Sequence, residues 1–346
     1  MLYPLKKIDI REFLELSGKY PVADVRSPSE YSAGHIPQAV NIPLFDDDER
    51  TAVGIRYKNA GRIKAILKGL ELTGPSMHRK LSAALKASKD QTLLVHCWRG
   101  GMRSEAMAWL FSLGDISTEI LEGGYKSYRN HLLAALSEKR KMIILGGMTG
   151  SSKTHIINYI KNQDRQVIDL EGLANHKGSA FGALGQPQQP SSEHFANLLF
   201  EEWRHLNTNI PVWLEDESRN IGNVFMPDPV FRNMLDSPAI MIMMDVKTRL
   251  PRLIEEYSGY PPEILKESIL KIRKRLGGDN TADALKAVDT GDFSKAIEIT
   301  LGYYDKAYFF GISRRPQNKI IYIRAESDDI EQNAWKVLEA ADKIKW

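Results

Sequence analysis

The sequence holds a single cysteine, Cys97, set in the stretch LLVHCWRGGMRS (93–104). An apolar run ends at the cysteine, Gly100 and Gly101 follow, and Arg99 and Arg103 flank them. That pattern belongs to a strand running into a tight loop and then a helix. The loop's backbone N–H groups can turn inward, and the helix N-terminus adds partial positive charge. Gly100 and Gly101 permit the tight curl. With Arg99 and Arg103, such a loop lowers a thiol's pKa and holds an anion over the sulfur. Cys97 then reads as a nucleophile, or as a carrier of sulfur or selenium. The plain alternative is a buried structural thiol.

A second stretch, MIILGGMTGSSKTHII (142–157), also joins a strand to a helix through glycines. From Gly147 the spacing is that of a Walker A phosphate loop, with Lys153 and Thr154 in the expected places. Thr149, Gly150, Ser151 and Ser152 complete the loop and offer amides to phosphate or diphosphate. Lys153 would neutralise phosphate oxygens, and Thr154 would hold Mg²⁺, the one metal this sequence suggests. Ser152 stands where the motif has its second glycine, so a Cβ intrudes there. A plain strand-to-helix turn is the alternative. Two further stretches give supporting candidates. HKGSAFG (176–182) places His176, Lys177 and Ser179 on a polar loop after the next strand. Such loops face the phosphate loop in doubly wound sheets. EDESRNIG (215–222) supplies Glu215, Asp216 and Glu217, one of them a candidate metal carboxylate, and then Arg219. A solvated acidic strand end would look the same.

These loops need strands and helices in alternation. Short extended runs occur at YPVADVR, AVNIP, QTLLVHC and ISTEILEGG in the first part, and at MIILGG, QVIDL, PVWLED and AIMIMMDV in the second. Helical spacing lies between them. Ser27 and Pro28 open a helix that Gly34 stops. RSEAMAWLFSLG and SSEHFANLLFEEWRHLN are the clearest amphipathic stretches. From Pro261 the chain reads as largely helical until the strand KIIYIRA and a terminal helix ending at Trp346. Both parts predict α/β folds with parallel sheets. The charged SEKRKM stretch separates them, which places domains at 1–137 and 138–346.

The chain has 346 residues, 42% hydrophobic and 26% charged, with a formal net charge of +3. This is ordinary globular composition with material for two cores. One cysteine cannot form an internal disulfide or a cysteine-rich zinc site, and a reducing cytoplasm is the expected setting. No apolar stretch is long enough for a membrane span or of signal-peptide type. Basic clusters at KIRKRLGG (271–278) and SRRPQNK (313–319) flank the aromatic LGYYDKAYFFG (301–311). Basic groups beside aromatics suit RNA phosphates and bases, although a helix of this kind is more often core.

Two resemblances sharpen the reading. HCWRGGMR fits the phosphatase pattern H-C-x-x-G-x-x-R, whose cysteine attacks phosphate esters. DVRSPSEYSAGHIPQAVNIPL (24–44) and LEGGYKSY (121–128) resemble a rhodanese domain, whose cysteine carries sulfur or selenium. The loop from Cys97 to Arg103 is one residue longer than the common rhodanese form. That length is found in rhodanese-like phosphatases and also suits a phosphate-linked donor. The order of motifs, a rhodanese loop, LEGGYKSYR, then a P-loop-containing domain with HKGSAFG and EDESRNIG, resembles the tRNA 2-selenouridine synthase family over essentially the whole chain.

That resemblance implies an N-terminal rhodanese-like domain and a C-terminal P-loop NTPase-like α/β domain with a helical part. It implies a transferase that replaces the sulfur of wobble 2-thiouridine in tRNA with selenium from selenophosphate, through S-geranylation from geranyl diphosphate. Cys97 would carry selenium, with Arg99, Arg103 and the loop amides receiving the donor. The loop from Gly147 to Thr154 would cradle diphosphate. The expected partners are thiolated tRNA and the enzyme that makes selenophosphate, with no tightly bound cofactor and no membrane. A phosphatase fused to a kinase-like domain, and a non-catalytic tRNA-binding module, are the alternatives.

Overall fold

A computed structural model describes residues 5–346. The chain divides into two compact units, one up to Ala135 and one from Leu136 to Trp346.

The first unit is built on a five-stranded parallel sheet: β1 (Lys6–Ile8), β2 (Val22–Asp24), β3 (Val40–Asn41), β4 (Thr92–His96) and β5 (Ser117–Leu121), in spatial order β1-β5-β4-β2-β3. β4 is central, and its Leu93, Leu94 and Val95 are fully buried, as expected for a strand covered on both faces. The helix Pro28–Ala33 begins as expected: Pro28 occupies its first position, Gly34 ends it, and Glu30 accepts the Ser27 backbone N–H at 3.1 Å. Ala23, Val25, Val95, Met107, Leu110 and Phe111 form the core between β2, β4 and the helix Met102–Ser112.

The helical stretch Asp47–Thr73 has no counterpart in the sequence reading. It is two helices broken at Gly61 (φ 78°, ψ 179°). The face it buries, Ala65, Gly69 and Thr73, is small or polar, while Ile55, Tyr57, Ile63, Leu67 and Leu70 are exposed. With the large apolar residues off the buried face there is no apolar periodicity to read.

The second unit has another five-stranded parallel sheet: β6 (Met142–Gly147), β7 (Gln166–Ile168), β8 (Val212–Glu215), β11 (Ala239–Met244) and β12 (Ile320–Ala325), ordered β12-β11-β6-β8-β7. A two-stranded hairpin, β9 (Asn220–Ile221) and β10 (Val224–Phe225), lies between β8 and β11 in the chain. β6 is the middle strand, with neighbours later in sequence on both sides. This is the switch point of the sheet, where ligands bind beyond the strand ends. The expected helical region is present as Pro262–Lys271, Arg273–Leu276, Gly278–Asp289 and Phe293–Ile312. These pack through Leu265, Ile269, Leu276, Val288 and Leu301 against Phe181, Leu253 and Tyr257. The last helix covers Ile330–Ala341 and stops short of Trp346. After Asp342 the charged run Lys343–Lys345 offers a single apolar residue, Ile344, too little to extend a buried stripe. Among the described residues no helix is long and apolar enough to cross a membrane.

Candidate functional site

Cys97 follows β4 directly and is buried, 3% exposed. Its Sγ lies 3.3 Å from the Ser104 hydroxyl. The backbone N–H groups of Arg99 and Ser104 also point at the sulfur. Burial alone pushes the thiol up; the Ser104 hydroxyl, the Arg99 amide and the charge of Arg103 outweigh it and hold the thiol below its ordinary value. The helix Met102–Ser112 starts at the loop and contributes its N-terminal amides.

The expected arginines have different tasks. Arg99 is exposed, and it is its backbone amide that serves the sulfur. Arg103 makes a forked pair with Glu30, at 2.6 and 3.3 Å. That pair fixes the guanidinium beside the thiol, as planar forks do. Ser104, which closes the pairing with the sulfur, went unrecognised in the sequence, although it lies at the end of the same quoted stretch.

The loop closes on the LEGGYKSY turn. Cys97 and Trp98 carbonyls accept the N–H groups of Tyr125 and Lys126, at 2.8 and 3.0 Å. Gly100 (φ 63°) and Gly124 (φ 60°) meet there. A Cβ on Gly124 would fall 2.4 Å from the Cys97 carbonyl and 2.5 Å from the Gly100 nitrogen. Beneath the loop, Arg26 is buried, grips Asp24 through two nitrogens, and lies 3.8 Å over the Tyr125 ring. His96 is buried, with Nε2 3.7 Å from Asp24; burial pushes its pKa down against the opposing pull of Asp24.

The second loop follows β6. Gly147, Thr149, Gly150, Ser151 and Ser152 lead into the helix Lys153–Lys161. Ser152 adopts the left-handed conformation (φ 60°, ψ 23°) that glycine would take without cost. Its hydroxyl donates to Asp328 at 2.5 Å, and Asp328 is held in turn by Arg252 at 2.6 Å. The departure from the motif is thus accommodated by a partner from the end of the chain. The Ser151 hydroxyl is buried and has no hydrogen-bond partner among the described residues. Lys153 Nζ donates to the Gly147 carbonyl at 2.7 Å, folded over its own loop. Thr149 is tied down from behind, its carbonyl accepting from Arg249 at 2.8 Å while Arg249 also forks onto Asp305.

Thr154 donates to Glu171 at 2.8 Å, and Glu171 is hydrogen-bonded to Glu217. Burial and the Glu171 charge push the Glu217 carboxyl well up, against the opposing pull of Lys153. Glu171 opens the turn after β7 and was missed; an acid just past the second strand of the unit is the only signal it gave. The HKGSAFG loop reaches the same acids, since a Cβ on Gly178 would sit 2.8 Å from Glu217. In that loop His176 Nδ1 accepts the Gly178 N–H at 3.2 Å, Ser179 bonds with Tyr257, and Lys177 pairs with Glu256. Burial pushes His176 down. Asp216 and Arg219 lie apart from this group. Asp216 pairs with Arg315, and Arg219 with Asp228 at 2.6 Å on the surface. Glu215 is fully buried and receives the Leu170 N–H at 2.9 Å; burial pushes its carboxyl well up.

Fold and site together define a rhodanese-like domain with a buried free cysteine at the end of its central strand, followed by a P-loop-type α/β domain. Comparison with known families agrees. Residues 9–131 match the rhodanese-like domain, and residues 140–261 match the tRNA 2-selenouridine synthase AAA domain. Similar proteins named tRNA 2-selenouridine synthase occur in Nitrosomonas europaea (33% identical, 86% of this chain and 90% of the relative) and Sulfurovum sp. (32%, 90% and 93%). One from Shewanella frigidimarina is 33% identical over 87% of this chain and 91% of its own. The chain belongs to the tRNA 2-selenouridine synthase family, and it is an enzyme.

Proposed function

We propose that this enzyme exchanges the sulfur of 2-thiouridine in tRNA for selenium, using two anion-binding loops for two chemistries. The observation that carries the reading is the setting of Cys97: a buried sulfur facing one hydroxyl, two backbone amides and an adjacent arginine. Such a setting stabilises a thiolate and, by the same donors, an oxyanion above it. Selenophosphate places its phosphate on the loop amides. Its selenium, already selenide, attacks C2 of the S-alkylated uridine formed at the second loop, the C2–sulfur bond breaks and the alkyl thiolate leaves. The Cys97 thiolate then attacks phosphorus, the selenium–phosphorus bond breaks, and water releases phosphate from the cysteine.

The loop at Gly147–Thr154 binds the diphosphate of geranyl diphosphate. The thiocarbonyl sulfur of the tRNA attacks the allylic carbon, the carbon–oxygen bond breaks, diphosphate leaves, and the uridine loses its N3 proton. The alkylated sulfur is then a better leaving group than a thiocarbonyl sulfur. Lys153 stabilises the departing charge. The orphaned Ser151 hydroxyl suits a phosphate oxygen. A cleft of about 320 Å³ opens beside the loop; Met148, Met243, Met244, Tyr322 and Ile323 give it an apolar wall for the tail, with the Asp245–Arg324 pair also lining it. Thr154, Glu171 and Glu217 offer the hard oxygen ligands that Mg²⁺ takes together with substrate phosphates. When bound, Mg²⁺ supplies positive charge to the leaving diphosphate. The enzyme that makes selenophosphate is a partner in the same proposal.

The test is mass analysis of nucleosides from 2-thiouridine tRNA, with geranyl diphosphate and selenophosphate supplied separately. Cys97→Ser is expected to abolish selenation and spare geranylation, whereas Lys153→Ala impairs geranylation first. Full selenation by Cys97→Ser would sink the role of Cys97 in selenium transfer. Unchanged geranylation by Lys153→Ala would sink the diphosphate role.

A further inference from the structure

The helix Phe293–Ile312 has two faces with different company. At about 100° per residue, Leu301, Tyr304, Asp305, Tyr308 and Ile312 fall on one side. That side faces the phosphate loop: Asp305 holds Arg249, which holds the Thr149 carbonyl, and the Gly147 N–H donates to the Tyr308 hydroxyl. Tyr303, Lys306, Ala307, Phe310 and Arg314, which follows the helix end, form a stripe on the other side. Phe310 is 64% exposed, and Arg314 lies 4.8 Å over its ring. At the other end of the stripe Arg275 donates to the Tyr303 hydroxyl at 3.3 Å. Arg275 belongs to the exposed basic turn Arg273–Leu276, which also carries Arg273 and Lys274. The structure therefore joins the aromatic helix to both basic clusters that the sequence separates.

We propose that this stripe is a stacking platform for an unpaired segment of the tRNA substrate, with Phe310 under a base and Arg275, Lys306 and Arg314 on phosphates. The proposal rests on the tRNA-modifying reading above. The chemistry favours RNA. An exposed ring topped by a guanidinium offers a π face and a cation together, and the stripe itself carries cations and no carboxylate. A core-packing role explains Tyr304 and Tyr308 and leaves Phe310 without a reason to face water. The placement is also apt. One helix diameter, about 10 Å, separates the stripe from the side of the helix that anchors the phosphate loop.

The experiment measures binding of the full chain to a fluorescein-labelled anticodon stem–loop RNA across a salt series. Phe310→Ala is expected to weaken binding about tenfold and Phe310→Trp to retain it, as stacking requires. Arg275→Gln with Lys306→Gln is expected to lower the slope of log affinity against log salt by about 0.7 per lost phosphate contact. All of these side chains are at the surface, and an unchanged melting temperature checks the fold. Wild-type affinity and slope in every variant would overturn the platform, as would variants that keep RNA binding but lose binding to phosphatidylserine vesicles. A wild-type chain that binds no RNA would instead overturn the tRNA reading itself.

Discussion

The two loops share one plan, a parallel strand, a tight turn and a helix N-terminus, yet their surroundings are opposite in charge. Around Cys97 the donors are already aimed at the sulfur, and Arg103 is already braced by Glu30. Around Lys153 two carboxyl groups, Glu171 and Glu217, stand beside the loop, and the lysine is folded onto its own backbone. The first loop is organised for an anion in advance. In the second, the adjoining acids oppose an incoming anion unless a proton or a cation offsets their charge. On the proposed function, a loop that holds an anionic donor against a thiolate benefits from the first design, and one that binds and then releases diphosphate benefits from the second.

Removing an acid should separate the loops most sharply. Glu171→Gln is expected to lower geranyl transfer ten- to a hundredfold and to change its Mg²⁺ dependence. The alkylation rate of Cys97 by iodoacetamide should stay constant. A parallel loss of both activities would show that the loops are not independent. A smaller effect is expected at the thiol. Ser104→Ala removes a hydrogen bond that favours the thiolate, so the pH midpoint of alkylation should rise by about one unit. The sign follows from the depressed thiol: the wild type keeps its thiolate as pH falls below the ordinary thiol value, and the variant loses it there. Reactivity at pH 7 should then fall about tenfold and recover by pH 9. A downward or absent shift would remove Ser104 from the account. The least change is expected from Ser152→Gly. It relieves a left-handed serine, a strain of about 1 kcal/mol, and gives up the Asp328 bond of similar size. Thermal unfolding should move little. A several-fold rise in geranyl transfer would show that the serine Cβ does crowd the loop.

Much of this site was legible because both loops are local. Cys97, Gly100, Gly101, Arg103, Lys153 and Thr154 lie within single short stretches, and strand–glycine–helix chemistry is written in consecutive residues. What stayed hidden depends on chain crossings. Nothing near Asp216 announces Arg315, 99 residues on, so one of the three acids offered as a metal carboxylate is engaged in an ion pair instead. Nothing near Ser152 announces Asp328, 176 residues away. The helices of Asp47–Thr73 were invisible for the converse reason, since the face they bury is made of Ala65, Gly69 and Thr73 and leaves no apolar period.

Gly124 carries a consequence for the order in which this protein matures. The Cys97 and Trp98 carbonyls find their partners only in Tyr125 and Lys126, and the gap that accepts them exists only because residue 124 has no side chain. During synthesis Cys97 therefore emerges well before its loop can close. A product truncated ahead of Gly124 would hold Cys97 and the groups that face its sulfur, yet lack the two amides that close the loop onto the turn after β5.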